Sequence, residues 1–256
     1  MNGLKGHAAI ITGASSGIGE GIALRLAREG VNVLIDYVGP SEEAEQTAQA
    51  AQALGVKAVA VQADVSKVEA VEMLVEEAWK AFGVADILIN NAGMEKKSAF
   101  PETTEDDYDR VLGVNLKGPF FLTRAFVKRL ISAKKPGRVI NISSVHEDMA
   151  FPGFATYCVS KGGLRMLMRD LAVELGPAGI TINNVAPGAI QTPINKSLLE
   201  DKPKLNALLA QIPLGRLGTP EDVAGLVAFL ASEDAAYITG STFTIDGGLS
   251  RNYHEQ

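Results

Sequence analysis

The stretch His7-Ala8-Ala9-Ile10-Ile11-Thr12-Gly13-Ala14-Ser15-Ser16-Gly17-Ile18-Gly19 decides the fold of this chain. Its apolar first part predicts a buried strand, and a helix follows over about residues 17–29. The glycines between them allow a tight turn, and the start of the helix offers unpaired N–H groups and a partial positive charge. A glycine-rich turn alone is weak evidence, because any strand-to-helix turn can carry glycine. In this context it predicts a cradle for the phosphates of a dinucleotide. The predicted cradle consists of Gly13, Ser15, Ser16, Gly17, Ile18 and Gly19.

Asp36 closes the next apolar run, Val31-Asn32-Val33-Leu34-Ile35. A carboxylate at that strand end can accept hydrogen bonds from the hydroxyls of an adenosine ribose, and it repels a 2′-phosphate. Neither Tyr37 nor Val38 supplies a cation for such a phosphate. Asp is also common in ordinary turns at strand ends, but its position after the glycine-rich turn favours the cofactor interpretation. The sequence therefore predicts NAD as the preferred cofactor, with NADP as the alternative.

Strands and helices alternate along the chain without a linker or a repeat. Strands such as Val59-Ala60-Val61 and Ile87-Leu88-Ile89 are continuous apolar runs, which indicates burial on both faces of a parallel sheet. We therefore expect one α/β domain over residues 1–256, a Rossmann-type, doubly wound parallel sheet of seven strands with helices on both faces. The strands are expected at 7–12, 31–36, 57–62, 86–89, 137–142, 180–185 and 241–245. The helices are expected at about 17–29, 41–54, 67–82, 104–133, 154–176 and 220–231.

Ser144, Tyr157 and Lys161 are the candidate catalytic residues. Tyr157 and Lys161 are four positions apart, so on a helix they share one face. A phenol with its ordinary pKa of about 10 is a poor base at neutral pH, and a neighbouring ammonium lowers that pKa. The Ser144 hydroxyl can hold the oxygen of an alcohol or carbonyl while Tyr157 moves the proton. An ordinary amphipathic helix also carries Tyr and Lys at this spacing, so the rest of the chain has to decide between the two interpretations.

Short motifs follow one another in a characteristic order along the chain. They are Thr12 to Gly19, Asp64-Val65, Asn90-Asn91-Ala92-Gly93, Asn115, Ser144, Tyr157, Lys161, Asn184-Val185-Ala186-Pro187-Gly188, Thr192 and Asp246-Gly247-Gly248. In this order they resemble the short-chain dehydrogenase/reductase family over nearly the whole chain. Ser143-Ser144-Val145-His146-Glu147 and the run from Pro187 to Asn195 are most similar to bacterial glucose 1-dehydrogenases. Those enzymes usually carry Asn-Tyr-Arg where this chain has Asp36-Tyr37-Val38, a departure that bears on their use of both NAD and NADP.

The resemblance implies further cofactor and catalytic contacts. Asp64 and the backbone N–H of Val65 would hold the adenine, although Asp64 fits equally well as the N-cap of a helix that starts near Ser66. Asn115 would kink a long helix and hold a water that links Lys161 to solvent, which makes it a fourth catalytic residue. The other implied cofactor contacts are Asn91, Ala92, Gly93, Tyr157, Lys161, Pro187, Gly188, Ile190 and Thr192.

Substrate contacts are expected at polar residues near the carboxyl ends of the strands. Glu95 and His146 suit a polyhydroxylated sugar, whereas an acyl or steroid pocket would be mostly apolar. A solvated loop charge at Glu95 and a packed ring at His146 are the alternatives. By the resemblance, residues at about 189–213 would form a mobile lid over the substrate; a surface excursion with two short helices is the other interpretation. The expected substrate contacts are Glu95, Ser144, His146, Tyr157, Ala189 and Asn195.

Composition excludes several classes of protein. A net charge of −6 and a pI of about 5.2 lack the basic footprint of a nucleic-acid binder. No apolar stretch reaches membrane-spanning length, and residues 1–6 lack the apolar core of a signal peptide, so we expect a cytoplasmic protein. Cys158 is the only cysteine, and the histidines show no spacing typical of metal ligands, so we expect no metal.

Three functions remain open. The favoured one is an NAD(P)-dependent oxidoreductase that oxidises C1 of an aldose such as glucose to the lactone. A reductase of a 3-oxoacyl thioester or another ketone needs the same catalytic residues and a different pocket. A dinucleotide-sensing protein on the same fold is the non-enzymatic alternative, and the intact Ser144, Tyr157 and Lys161 weigh against it.

The assembly is expected to be a homotetramer. The helices near 104–133 and 154–176 carry apolar residues around much of their circumference, so they are either deeply buried or meet a partner. By the resemblance, these helices pair across a two-fold axis and the last strand forms a second interface. The C-terminal tail would then reach a neighbour's pocket.

Overall fold

Seven parallel strands form the centre of the computed structural model, which describes residues 1–252. The strands are β1 (Ala8–Ile11), β2 (Asn32–Tyr37), β3 (Ala58–Gln62), β4 (Ile87–Asn90), β5 (Gly137–Ile142), β6 (Ile180–Pro187) and β7 (Thr242–Ile245). Their order in the sheet is β3-β2-β1-β4-β5-β6-β7, and every neighbouring pair is parallel. The predicted seven-stranded, doubly wound parallel sheet is therefore confirmed.

Helices cover both faces of the sheet. They are α1 (Gly17–Arg28), α2 (Glu42–Ala53), α3 (Val68–Phe82), α4 (Glu105–Leu112), α5 (Gly118–Ala133), α6 (Ala155–Leu175), α7 (Lys196–Glu200), α8 (Lys202–Leu209) and α9 (Pro220–Ala231). Successive strand residues point to opposite faces. In β2, Val33 and Ile35 pack against α1, α2 and α9, whereas Leu34 packs against the layer of α3, α5 and α6. Side chains of Leu, Ile, Val and Ala fill the space between the sheet and each helix layer, so the sheet is buried on both faces.

The order of the strands places the site. The chain moves outward from β1 to β3, then returns to begin β4 on the other side of β1. At such a reversal the loops after the two central strands turn away from each other and leave a crevice at the carboxyl ends. The predicted site residues follow β1, β4, β5 and β6, so they surround this crevice.

The helix expected over 104–133 is wrong as a single element. A π-helical turn over Gly113–Lys117 separates α4 from α5. Asn115 within it turns its amide away from the helix and bonds the backbone of Met94 instead. Pro119 lies in the first turn of α5, where its missing N–H costs no hydrogen bond. Such π turns inside helices are common at functional sites, and this one lies beside the crevice.

Residues 189–213 contain the two short helices α7 and α8. The segment follows β6, and a backbone pairing of Ile190 with Gly218, outside the seven strands, joins its two ends. Its role as a lid stays a prediction. Within residues 1–252, none of the helices has both the length and the apolar character needed to span a bilayer.

A row of buried polar side chains crosses the sheet at its carboxyl edge. Asn90, Asn141, Asn184 and Thr242 are register partners on β4, β5, β6 and β7. Asn90 Nδ2 donates to Asn141 Oδ1 at 2.8 Å, and Asn141 Nδ2 donates to Asn184 Oδ1 at 2.9 Å. The row continues into the carboxylate of Glu147, which accepts from Asn184 and Thr242. Each amide thus offsets the desolvation of its neighbour.

We predict that Asn141→Leu destabilises the fold although it makes the interior more apolar. The change leaves one donor of Asn90 and the oxygen of Asn184 buried without this partner, a cost of about 2–5 kcal/mol. Urea unfolding measures the loss. Ile140→Val, one position away and equally buried, is the matched control and should cost about 0.5–1.5 kcal/mol. An Asn141→Leu variant as stable as the parent would contradict the importance of the row.

Candidate active site

The glycine-rich turn forms a concave cradle between β1 and α1. Gly13 and Gly17 have φ angles of +59° and +60°, the left-handed region that glycine adopts without strain. A Cβ on Gly19 would collide with the carbonyl oxygen of Gly13 and lie 2.5 Å from Asn91 Nδ2. Ser16 precedes α1 in extended conformation, and its side chain does not cap the helix. The first N–H groups of α1 therefore remain available to an anion.

Thr12 and Asn91 fix this turn to the end of β4. Asn91 Nδ2 donates to the carbonyl oxygens of Thr12 and Gly13 at 2.8 and 2.9 Å. In return, the hydroxyl of Thr12 accepts from the backbone N–H groups of Asn91 and Ala92. Asn91 is thus a support of the cradle, and Thr12 is a second support that the sequence-based list of site residues missed.

Asp36 lies at the carboxyl end of β2, as the sequence predicted, but its carboxylate is buried. It follows Leu34 by two residues, so its side chain points into the same covered face, and it is only 1% exposed. Its Oδ2 accepts from Gly13 N at 3.2 Å, and its Oδ1 is buried without a partner. Burial raises the pKa of this carboxyl from 3.8 to about 7, against the lowering effect of the Gly13 N–H. A contact of Asp36 with ribose hydroxyls stays a prediction.

Asp64 and Val65 follow β3 at the outer end of the crevice. Asp64 is exposed, and its Oδ1 accepts from Ser66 N at 3.0 Å. Hydrogen bonds with the Ser66 side chain and then with its backbone N–H lower the pKa of the carboxyl. The helix α3 starts at Val68, so Asp64 stabilises the preceding turn and is not the N-cap. Val65 is buried, which leaves its backbone as the group that can face a ligand.

The other wall of the crevice comes from the end of β6. Pro187 is buried, and a Cβ on Gly188 would lie 2.6 Å from the Cβ of Asp246. Ile190 belongs to the hydrophobic core, so only its backbone can reach a cofactor. Thr192 lies opposite the cradle, because a Cβ on Gly17 would meet its methyl group at 3.4 Å. The two walls therefore face each other across the start of α1.

Tyr157 and Ser144 meet at the centre of the crevice. Ser144 follows β5, and its Oγ accepts from His146 N at 3.1 Å. Burial raises the pKa of Tyr157 to about 12, and the hydrogen bond with Ser144 opposes that rise. The sequence predicted the opposite direction, from the charge of Lys161. The reason for the difference is that the hydroxyl is desolvated, while the Lys161 ammonium lies 5.6 Å from the centre of the ring.

Lys161 is buried behind Tyr157. Only 4% of it is exposed, and its Nζ donates to the carbonyl oxygen of Ile142 at 2.9 Å. Burial lowers the pKa of this ammonium to about 8, and the negative charge of Glu147 opposes the change. Lys161 is thus a cation that is close to losing its proton at neutral pH.

Asn115 joins the loop after β4 to α6. Its Oδ1 accepts from Met94 N at 2.9 Å, and its Nδ2 donates to Met94 O at 2.8 Å and to Ser160 Oγ at 3.1 Å. A Cβ on Gly93 would lie 3.6 Å from Asn115 Oδ1 and 3.8 Å from Lys161 Nζ. A π turn interrupts the helix at Asn115, where a kink was expected, and the water that Asn115 would hold stays a prediction.

Glu95 and His146 both lie near Tyr157. Glu95 stands at the rim, where partial burial raises the pKa of its carboxyl; its charge in turn raises the pKa of Tyr157. His146 is half-buried, which lowers the pKa of its ring, and it stacks on Phe151 at 4.2 Å between ring centres. Phe151 stacks in turn on Phe154 at 4.0 Å. His146 therefore begins an aromatic stack that sequence reasoning did not detect, although Phe151 and Phe154 stand just before Tyr157.

Ala189 and Asn195 lie at the start of the segment after β6. Ala189 is half-buried, and its carbonyl oxygen accepts from Gly218 N. Asn195 Nδ2 donates to the carbonyl oxygen of Ile190 at 2.7 Å, so its amide stabilises the turn here. A substrate contact from either residue stays a prediction. In residues 1–252, the side chains of His, Cys, Asp and Glu nowhere come together in a group of three that could hold a metal.

The arrangement combines an anion cradle, a crevice and a proton-transfer cluster. The uncapped start of α1, the space that Gly19 leaves open and the polar ends of β4 and β6 fit the pyrophosphate and nicotinamide of a dinucleotide. The adenosine end of the dinucleotide would then lie towards Asp64. The nicotinamide would come to rest near Tyr157, where the substrate hydroxyl must also bind. The site is therefore suited to alcohol–carbonyl interconversion.

Comparison with known proteins agrees with this arrangement. A family model described as enoyl-(acyl carrier protein) reductase matches residues 13–250. The chain is 43% identical to 3β-hydroxysteroid dehydrogenase 1 of Eggerthella lenta, over 96% of this chain and 95% of that protein. It is 38% identical to glucose 1-dehydrogenase 2 of Bacillus subtilis, over 96% of each chain.

A solved structure shows the same fold. The crystal structure of a protein of Agrobacterium tumefaciens, described as a 2-deoxy-D-gluconate 3-dehydrogenase with bound NADP, matches with a TM-score of 0.89. The identity is 35%, and the match covers 96% of each chain. The chain therefore belongs to the short-chain dehydrogenase/reductase family, whose members are NAD(P)-dependent oxidoreductases.

Proposed function

We propose that this enzyme oxidises C1 of an aldose such as glucose to the lactone, with NAD as the preferred hydride acceptor. The observation that carries the proposal is the cluster of Ser144, Tyr157 and Lys161 between the cofactor cradle and the carboxylate of Glu95. The cluster supplies the acid–base chemistry, and Glu95 supplies an acceptor for a neighbouring sugar hydroxyl.

In the proposed reaction Tyr157 takes the proton of the substrate hydroxyl while the C1–H bond breaks. Bound nicotinamide supplies the acceptor for the hydride, so the two electrons of that bond leave with it. Ser144 Oγ donates a hydrogen bond to the substrate oxygen as it becomes a carbonyl. Because burial raises the pKa of Tyr157, the positive charges of Lys161 and of the oxidised nicotinamide are needed to stabilise the phenolate.

The acidic rim supports a polyol over a ketone without hydroxyls. Glu95 lies close enough to Tyr157 for its charge to act on the phenol, so it can accept from a hydroxyl next to the reacting carbon. A carboxylate at the rim that finds no such donor contributes less to binding, which disfavours substrates that lack the hydroxyl.

The aromatic stack supports a second candidate, the oxidation of a flat alicyclic alcohol such as a hydroxysteroid. His146, Phe151 and Phe154 offer a continuous edge of rings beside Tyr157, and apolar rings prefer such surroundings. One relative of this chain carries a hydroxysteroid dehydrogenase name. Reduction of a 3-oxoacyl thioester needs the same catalytic residues, and a relative that is 40% identical to this chain is named a 3-oxoacyl-[acyl-carrier-protein] reductase.

We predict that glucose is oxidised with the highest catalytic efficiency in a panel of aldoses, hydroxysteroids and 3-oxoacyl thioesters. Nicotinamide absorbance reports turnover for every member of the panel. Tyr157→Phe is the matched control: the ring still packs, but turnover should fall by about 10²–10⁴-fold because the proton acceptor is gone. Cofactor binding, measured by calorimetry, should persist in that variant. A hydroxysteroid or thioester as the best substrate would contradict the aldose proposal, and full turnover by Tyr157→Phe would remove Tyr157 from the mechanism.

The preference for NAD rests on negative charge at the adenosine end of the crevice. Asp64 is exposed there, and Asp36 lies beneath the turn close enough for the two carboxylates to repel each other. Val38 is 70% exposed at the end of β2 and offers no cation. A 2′-phosphate bound here would meet repulsion on the order of a kcal/mol at a partly exposed site.

We predict that catalytic efficiency with NAD exceeds that with NADP by on the order of tenfold, which corresponds to about 1.4 kcal/mol. Asp36→Asn combined with Val38→Arg should reverse or abolish the preference. Asp36→Asn keeps an acceptor for Gly13 N, so the turn is retained. The measurement is kcat/KM with each cofactor at one ionic strength. Equal or better efficiency with NADP in the parent enzyme contradicts the proposal.

We also propose a homotetramer. The outer face of α6 carries Val159, Met166 and Val173 at a spacing of seven, and they are 54%, 60% and 81% exposed. Phe120 and Ile131 are exposed on the neighbouring α5. A stripe of this kind supports pairing of α5 and α6 with a second copy. The proposed contact of the C-terminal tail involves residues 253–256, which lie outside the described part of the chain.

We predict that sedimentation velocity finds a tetramer at micromolar concentration. Met166→Glu should lower the assembly to a dimer, because the charge interrupts the stripe on α6. Val38→Glu, an exposed apolar residue far from that stripe, is the control and should leave the tetramer intact. A monomeric parent protein would refute the assembly and leave the catalytic proposal untouched.

A further inference from the structure

Glu147 is a buried carboxylate that the proposed reaction does not use. Its side chain is 3% exposed. Its Oε1 accepts from Thr242 Oγ1 at 2.7 Å, and its Oε2 accepts from Asn184 Nδ2 at 3.0 Å. Arg165 Nε approaches Oε1 to 3.5 Å. Burying such a charge costs free energy. This cost suggests that Glu147 does more than pack one turn.

The first effect of Glu147 is on the orientation of the side-chain amides in the row. A carboxylate only accepts hydrogen bonds, so Asn184 must turn its NH₂ group toward Glu147 and its oxygen toward Asn141. Asn141 then turns its own NH₂ to Asn184 and its oxygen to Asn90. One ionised group at the end of the row thus orients three amides across three strands.

The second effect concerns the catalytic cluster. Glu147 follows Ser144 by three residues in the turn after β5, and its carbonyl oxygen lies 3.9 Å from the position of a Cβ on Gly162. Lys161 is bonded to Ile142, the strand residue after Asn141. Arg165, one turn after Lys161 on α6, approaches the carboxylate, so this buried charge lies beneath the part of α6 that carries Lys161, where little water screens it.

We propose that Glu147 is a positioning residue of the proton-transfer centre, which holds Lys161 as a cation and fixes the Ser144 turn to the sheet. The inference rests on the proposed alcohol–carbonyl oxidoreduction. Burial alone favours neutral Lys161, and Glu147 is the negative group that opposes this. Without the cation the Tyr157 phenolate would lose its stabilising charge.

The other charged groups around this centre act from different sides. Glu95 faces Tyr157 from the loop after β4. Arg165 lies one turn after Lys161 on α6 and is shared between Glu147 and the exposed Asp148, which it bonds at 2.8 Å. From β5, β6 and β7 the neighbours are a carbonyl oxygen, an amide and a hydroxyl, all uncharged.

The test is Glu147→Gln, which keeps the shape and removes the charge. The titration of Lys161 is followed by NMR of ε-¹³C-lysine in the intact enzyme, with the signal assigned by its loss in Lys161→Met. We expect the Lys161 pKa to fall by about one unit or more, a tenfold change in its ionisation. The alkaline limb of the kcat/KM profile should move to lower pH by a similar amount, because activity needs the cation that is lost as pH rises through this pKa.

Thr242→Val is the matched control, since it removes one hydrogen bond to the carboxylate and keeps the charge. It should lower the melting temperature and leave the Lys161 titration and the pH profile unchanged. Equal shifts in Thr242→Val and Glu147→Gln, or no shift in Glu147→Gln, would overturn the proposal.

If Glu147→Gln does not fold, the Lys161 titration is measured in Arg165→Met instead. Loss of the guanidinium removes a cation near Lys161 and leaves the carboxylate without its partner, so Lys161 should titrate at higher pH, and Glu147→Gln added to Arg165→Met should reverse part of that rise. An unchanged titration in this variant overturns the proposal. The NMR titration needs no substrate, so it distinguishes a failure of this inference from a failure of the proposed function.

Discussion

The need to satisfy polar groups buried at the carboxyl edge of the sheet shapes this molecule more than any other constraint. Asn90, Asn141 and Asn184 lie in one register row of three neighbouring strands, and each bonds the next. The row fixes the ends of β4, β5 and β6 relative to one another. Those ends carry Asn91, Ser144 and Pro187, so the geometry of the crevice is inherited from hydrogen bonds inside the sheet. A purely apolar edge would be buried equally well, but it would not fix the register of the strands that carry these loops.

Burial at this edge also shifts the pKa values of the two candidate proton-transfer residues, and it makes their charged forms unfavourable. Lys161 and Tyr157 both stand in surroundings that favour their neutral forms, so the pKa of the ammonium is lowered to about 8 and that of the phenol is raised to about 12. Desolvation also strengthens every charge that remains. The opposite charge of Glu147 therefore has a large effect on Lys161, and a cationic nicotinamide bound near Tyr157 would stabilise the phenolate. The site is thus arranged for a proton transfer that depends on the cofactor's presence.

Much of the fold was predictable from the sequence, because apolar runs and glycine-rich turns are local signals. The seven strands, their parallel arrangement and the cluster of Ser144, Tyr157 and Lys161 near one edge follow from such signals. The π turn at Asn115 was not predictable, since it depends on a bond to Met94, which is remote in sequence. The burial of Asp36 was not predictable, because the two faces of a strand differ by one residue and register alone decides which face is covered. The role of Glu147 was not predictable from its motif, because its partners lie on β6, β7 and α6.

The account rests on the claim that a buried Lys161 enables Tyr157 to remove a proton while a hydride leaves the same substrate. The most direct measurement is a single turnover with C1-deuterated glucose and oxidised cofactor, followed by mass spectrometry of the nicotinamide. We predict that the parent enzyme moves the deuterium to the nicotinamide and that Lys161→Met, with cofactor bound, moves little or none in the same time. Transfer at the parent rate by Lys161→Met, or no deuterium on the nicotinamide of the parent, would contradict the account.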